Sequence, residues 1–209
     1  MAQGTYRIGG LPSLNVNKKL RNNWSLNSKI ESRLLFYRGE INGITEKDFG
    51  YLLTDISLIA AKKVGLRTRI AAGYLIRLNK DGIYHRMIQQ FVVLQKFSGF
   101  RLAHRLLCDQ TFSAREAPEF RFRYRITSEI PLNGLAVDPG EYYLKINNEY
   151  INKVQEKAYD LEIRLVPIIG HEISNRLKIE AGPDYRVNSF LNKNTKHSCW
   201  LTFSLFAEI

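Results

Sequence analysis

Phe120-Arg121-Phe122-Arg123-Tyr124-Arg125-Ile126-Thr127-Ser128-Glu129-Ile130 is the stretch that decides the fold. Read with period two, one face carries Phe120, Phe122, Tyr124, Ile126 and Ile130, and the other Arg121, Arg123, Arg125, Thr127 and Glu129. Successive side chains of a strand point to opposite sides, so a strand separates this segment into an apolar and a charged face. A helix would scatter the arginines around its whole circumference.

The same period recurs on both sides of this stretch. Trp24, Leu26, Ile30, Leu34 and Phe36 alternate with Asn27, Lys29, Glu31 and Arg33. Leu52, Thr54, Ile56, Leu58 and Ala60 oppose Asp55 and Ser57; Leu66, Thr68, Ile70, Ala72, Tyr74 and Ile76 oppose Arg67, Arg69 and Arg77. Leu102, His104, Leu106 and Cys108 oppose Arg105 and Asp109, and Tyr142, Leu144, Ile146 and Tyr150 oppose Lys145, Asn147 and Glu149. Further on, Leu161 to Ile169 oppose Glu162 and Arg164, and Leu177, Ile179, Ala181, Tyr185 and Val187 oppose Arg176, Lys178, Glu180, Asp184 and Arg186. Leu201, Phe203, Leu205 and Ile209 share the apolar face of the last segment. Segment 84–96 mixes its parities, because Arg86 and Gln90 share a face with Ile88 and Val92; Arg86 is assigned to the charged side.

These segments match the roughly nine to eleven residues that a tilted strand needs to cross a bilayer, against about five or six in soluble sheets. Tight separators sit near 62–65, 97–100 and 172–175, and longer ones near 38–48, 78–83, 112–118, 152–158 and 188–197, the short-turn and long-loop alternation of outer-membrane barrels. The link 131–140 breaks that rule and is expected to fold over a barrel mouth. Counting from Trp24 gives a closed antiparallel transmembrane β-barrel of about ten strands, an even number as bacterial barrels have. Residues 1–23, interrupted by Gly9, Gly10 and Pro12, form an N-terminal periplasmic extension, a plug or an extra strand, with a twelve-stranded barrel as the alternative; residues 24–209 form the barrel. Aromatic residues near segment ends, including Trp24, Tyr74, Tyr84, Tyr142, Tyr185 and Trp200, read as two interfacial girdles.

Composition alone would describe a soluble domain: 209 residues, 44% hydrophobic, 24% charged, with a formal net charge of +11. No apolar run approaches the roughly eighteen residues of a membrane-crossing helix. A signal peptide is expected to have been removed from the mature chain. In hydrocarbon every backbone amide needs a partner, which leaves a closed barrel as the spanning form for strands. Its apolar face then meets lipid, because an arginine at the bilayer midplane costs about 2–4 kcal/mol.

The lumen is thus expected to hold a charge network of Glu31, Arg33, Asp55, Arg67, Arg69, Arg86, Arg105, Asp109, Arg121, Arg123, Arg125, Glu129, Lys145, Glu149, Glu162, Arg164, Arg176, Lys178, Glu180 and Arg186. Arginine suits such packing, since its planar fork grips a carboxylate at two points. The residual excess is positive and calls for water or an anion. Cys108 and Cys199 fall on the lipid face of segments far apart, so no disulfide is expected. No phosphate loop, metal cluster, cofactor motif or nucleophile motif is present. Nucleic acid is not expected as a partner, because the arginines alternate within strands and face a lumen too narrow for a duplex.

The runs Tyr84 to Gln90, Arg101 to Arg105, Phe120 to Arg125 and Tyr143 to Tyr150, with Asn147, Asn148 and Glu149, resemble the family known as domain of unknown function 2490. The resemblance covers most of the chain from Trp24 onward. It implies an outer-membrane β-barrel of the kind frequent in Bacteroidota, and it brings no activity, ligand or catalytic residue. The resulting expectation is a barrel integral to the outer membrane with a structural or accessory role, as a subunit of an envelope complex. A narrow anion-preferring channel or binder is the alternative. A rim-active enzyme is the second, with His85 near Tyr84 and Asp81, or His197 beside Ser198, as its candidate residues. Expected partners are outer-membrane lipid and lipopolysaccharide, whose phosphates would meet Lys153, Lys157, Lys193 and Lys196 on extracellular loops.

Overall fold

The computed structural model describes residues 4–41, 43, 45–191 and 195–209. It contains eleven strands: β1 (Thr5–Lys19), β2 (Trp24–Glu40), β3 (Thr45–Lys63), β4 (Thr68–Asn79), β5 (Gly82–Phe97), β6 (Phe100–Ser113), β7 (Glu119–Pro131), β8 (Tyr142–Gln155), β9 (Ala158–Ser174), β10 (Leu177–Asn188) and β11 (Lys196–Glu208). Each pairs antiparallel with its neighbour in the chain, and β1 closes on β11 to complete a barrel. Because hairpins reverse direction at every step, an odd number of strands leaves the first and last running the same way. The closing ladder is accordingly parallel, from Thr5 opposite Lys196 to Asn17 opposite Glu208.

The strand beyond the ten counted from Trp24 is β1. Its alternation is weak because Gly9, Gly10 and Pro12 carry little side-chain signal, yet it bonds to a partner on both sides. Proline has no N–H to give a ladder. The β1–β2 register accordingly skips Leu11 and Pro12, resuming at Ser13 opposite Glu31. The β9–β10 register likewise skips 182–184 around Pro183.

Connections 20–23, 64–67, 98–99, 132–141 and 175–176 lie at one end, here the first rim; 80–81, 114–118 and 156–157 lie at the second, as do the described residues of the β2–β3 and β10–β11 links. The second-rim connections are shorter than the sequence separators, since the strands run on past the apolar band. Tyr37 pairs with Lys47 and Gly39 with Thr45 in a two-faced polar extension that periodicity cannot register. The longest connection, 132–141, belongs to the first rim, where the Gly140 N–H donates to the Glu172 carbonyl at 2.6 Å and ties the loop to β9.

The outer face is apolar and unpartnered: Ile56, Leu58, Met87, Phe91, Phe122 and Leu165 are all exposed there. Cys108 and Cys199 are unpaired on the same face. Histidines sit on it too, each against a tyrosine. His85 shares a hydrogen bond with Tyr74 and His197 with Tyr185, both at 2.7 Å and towards the second rim. His104 bonds Tyr124 at 2.8 Å, and His171 stacks on Tyr142 with ring centroids 4.3 Å apart, both nearer the first rim.

Two inward aromatics press on glycines. Tyr143 lies flat on Gly170, and Trp200 lies on Gly9. A methyl group on Gly170 would overlap three carbons of the Tyr143 ring. Gly170→Ala is therefore expected to lower unfolding free energy by about 1–3 kcal/mol. Gly50→Ala, where the new carbon would meet only Asp48 at 4.0 Å, is expected to stay within about 0.5 kcal/mol of the parent. Urea titration of the two variants measures the difference.

Candidate binding site in the barrel lumen

The inward parity of β6, β7 and β8 brings charged side chains from adjacent strands to one level. Asp109, 1% exposed, is the first hub. Arg121 Nε donates to its Oδ1 at 2.6 Å, Arg86 Nε lies 3.5 Å from the same oxygen, and Arg123 reaches Oδ2 at 3.6 Å. Arg86 also donates to the Thr111 hydroxyl at 2.8 Å. Glu149, equally buried, is the second hub. Arg123 and Arg125 each donate to it at 2.9 Å, with Arg105 at 3.5 Å and Arg164 at 3.8 Å. Four guanidinium groups thus converge on one carboxylate. Their mutual repulsion is tolerable in a low-dielectric lumen only while that carboxylate is present.

Pairs surround the hubs. Arg77 grips Asp55 at two points, both 2.7 Å, and Arg186 grips Asp184 at 2.9 and 2.6 Å. Glu162 is bonded by Arg164 and Lys153, and Glu180 by Lys145 and the Tyr143 hydroxyl. Arg101 pairs with Glu129, and Lys29 with Glu31. Lys178 lies over the rings of Tyr143 and Phe206. Apolar side chains fill the gaps: Ile88, Leu107 and Ile151 are buried among the charges.

Three residues assigned from sequence to the lumen network lie elsewhere. Arg67 and Arg176 are exposed in first-rim connections, and Arg69 is exposed near that rim. No ion pair involves any of the three among the described residues. Arg67 and Arg176 fall outside because alternation carries on into turns, where an inward direction no longer exists, whereas Arg69 keeps the inward parity of β4 but stands at the exposed end of that strand. Lys153, read as an extracellular-loop lysine, is instead an inward residue of β8 paired with Glu162 and donating to Asn188 at 3.1 Å. Lys157 is exposed in its turn, and Lys193 lies outside the described residues.

Trp200, assigned to a girdle, is 3% exposed and faces the lumen beside Leu11 and Leu35. Its parity relative to Leu201 and Phe203 carried that signal. Tyr84, also assigned to a girdle, lines a lumen cavity at the second rim and donates to Glu116 at 2.9 Å. Arg77 and Asp184 were on the charged faces of their segments; Arg7 was hidden in the irregular alternation of β1.

At the second rim the lumen opens into a vestibule of about 610 Å³. Among its described lining residues, basic side chains outnumber acidic ones eight to three. Arg33 stands on its wall with the guanidinium carbon 5.1 Å from the centre of the Trp200 ring. No carboxylate lies within ion-pair distance of Arg33 among the described residues. His197 touches this vestibule from the rim, but its Nδ1 is engaged by Tyr185 while Ser198 is buried on the opposite face of the strand. His85 is engaged by Tyr74 on the outer face, and Tyr84 by Glu116 on the inner.

Fold and site together define a closed β-barrel with an apolar outer face and a lumen packed with guanidinium–carboxylate pairs. The chain belongs to the family described as "Protein of unknown function (DUF2490)", whose sequence profile matches residues 9–197, from β1 into β11. No curated protein and no solved structure gives a significant match.

Proposed function

We propose that this barrel is an integral protein of the bacterial outer membrane with a structural or accessory role in the envelope. One observation carries the reading: the outer face is apolar around the barrel while the charged side chains of the strands turn inward. Contiguous exposed apolar surface on this scale needs a nonaqueous or protein partner, and a closed barrel of long strands suits a bilayer, because it leaves no edge unpaired in hydrocarbon. The outward tyrosine–histidine pairs towards both rims suit the headgroup levels, where amphipathic rings settle.

A conducting pore is less well supported. The side chains of Asp109, Glu149 and Ile151 lie in the lumen with almost no access to solvent. Rings of arginine and lysine can select anions, but here most are committed to carboxylates. The exposed Lys157 remains available to lipopolysaccharide phosphates at the second rim.

The test is fractionation of native cells followed by alkaline carbonate extraction. The protein is expected to stay in the outer-membrane pellet and to leave it only with detergent. Release into the carbonate supernatant overturns the reading.

A further inference from the structure

We propose that the second-rim vestibule binds a small soluble anion bearing two or more phosphate or carboxylate groups. The inference requires the folded barrel and is independent of where that barrel resides.

Three observations converge on it. The cavity, about 610 Å³, is larger than a single phosphate needs and suits a solute with several anionic groups. Its described walls carry eight basic against three acidic side chains. A pocket with one sign of charge and low-dielectric walls focuses its field on whatever enters. The protein's own acceptors also leave this wall unsaturated. Among the described residues Arg33 has no carboxylate in range, and Nε of Arg33, Nη2 of Arg121 and Nε1 of Trp200 are buried without an acceptor. One vestibule acceptor, Asp160 Oδ1, lacks a donor in turn, so the balance stays on the donor side.

Two other arginines of the vestibule differ. Arg77 and Arg186 are fixed by two-point bonds to Asp55 and Asp184. They are rigid parts of the wall, already ordered before a ligand arrives, which lowers the entropy lost on binding. Arg33, stacked on Trp200, presents a planar fork matched to phosphate and carboxylate. The stack also makes Trp200 a reporter of events at Arg33.

The chain has two tryptophans. Trp24 lies at the start of β2, at the opposite rim from the vestibule, so Trp24→Phe leaves Trp200 as the sole tryptophan, excited selectively at the red edge of its absorption. With this variant folded in nonionic detergent, pyrophosphate and citrate are titrated separately at low ionic strength, against sodium chloride of equal ionic strength. A saturable change in Trp200 emission is expected from at least one of them and not from chloride. Adding Arg33→Gln is expected to raise the half-saturating concentration about tenfold or more. Among the described residues that substitution breaks no ion pair, so it leaves no buried carboxylate without its partner. Lys157→Gln, a charge loss in the exposed turn at the same rim, is expected to leave the titration unchanged. The proposal is overturned if neither probe differs from chloride, or if Arg33→Gln and Lys157→Gln behave alike.

Discussion

Glu149→Ala is expected to lower the unfolding free energy of the barrel by about 3–5 kcal/mol, the cost of breaking a buried ion pair from one side. The carboxylate is the common partner of Arg105, Arg123, Arg125 and Arg164. Its loss leaves four guanidinium groups facing one another. Among the described residues only Arg123 and Arg164 have another carboxylate in range, at Asp109 and Glu162. Glu149→Gln keeps the acceptor oxygen and loses the charge, so its effect should fall between parent and alanine. Adding Arg123→Ala to Glu149→Ala removes one of the repelling cations and should restore part of the loss. Urea unfolding in detergent micelles or lipid vesicles measures all four chains. An alanine variant within about 1 kcal/mol of the parent would show that water reaches the hub and screens it.

Leu106→Arg is the counterpart on the outer face. Leu106 lies midway along β6, 39% exposed, opposite Tyr124 of β7. In a bilayer an arginine at this depth should cost about 2–4 kcal/mol, falling to about 0–1 kcal/mol near the interfaces. Leu66→Arg supplies the comparison, since Leu66 is 94% exposed in a first-rim connection. Both variants refolded into phosphatidylcholine vesicles and unfolded with urea should therefore differ strongly from each other. On a barrel surrounded by water, both substitutions would be near neutral. Equal stabilities for the two would remove the membrane from the account.

The alternation in β7 carried most of the architecture, because in a closed sheet parity alone decides which side chains share the interior. Arg86 shows where this reasoning strains. Its neighbour Ile88 has the same parity and is also buried inside, so the lumen is a mixed interior and not a purely charged one. Trp200 is hidden for the same reason: a large aromatic reads as girdle by type, while its register opposite Asp184 and Gly9 places it within. The hubs themselves were not legible. That Arg105, Arg123, Arg125 and Arg164 meet at Glu149 depends on the registers of β6, β7, β8 and β9 against one another, and a single chain read end to end contains no register. The strand extension through Tyr37 and Lys47 was lost because polarity on both faces erases the period.

The parallel seam has a consequence for how the barrel is made. Ser13 donates to Ser204 across it at 2.8 Å, although 191 positions separate them in the chain. Every other ladder joins consecutive strands and can zip as soon as its hairpin exists. This one needs the whole polypeptide, and contacts so distant in sequence carry the greatest loop-closure cost. Until β11 arrives, the nascent sheet has two open edges, each able to recruit a strand from another molecule. Assembly of this protein is most vulnerable to cross-pairing in the interval before its last strand is delivered.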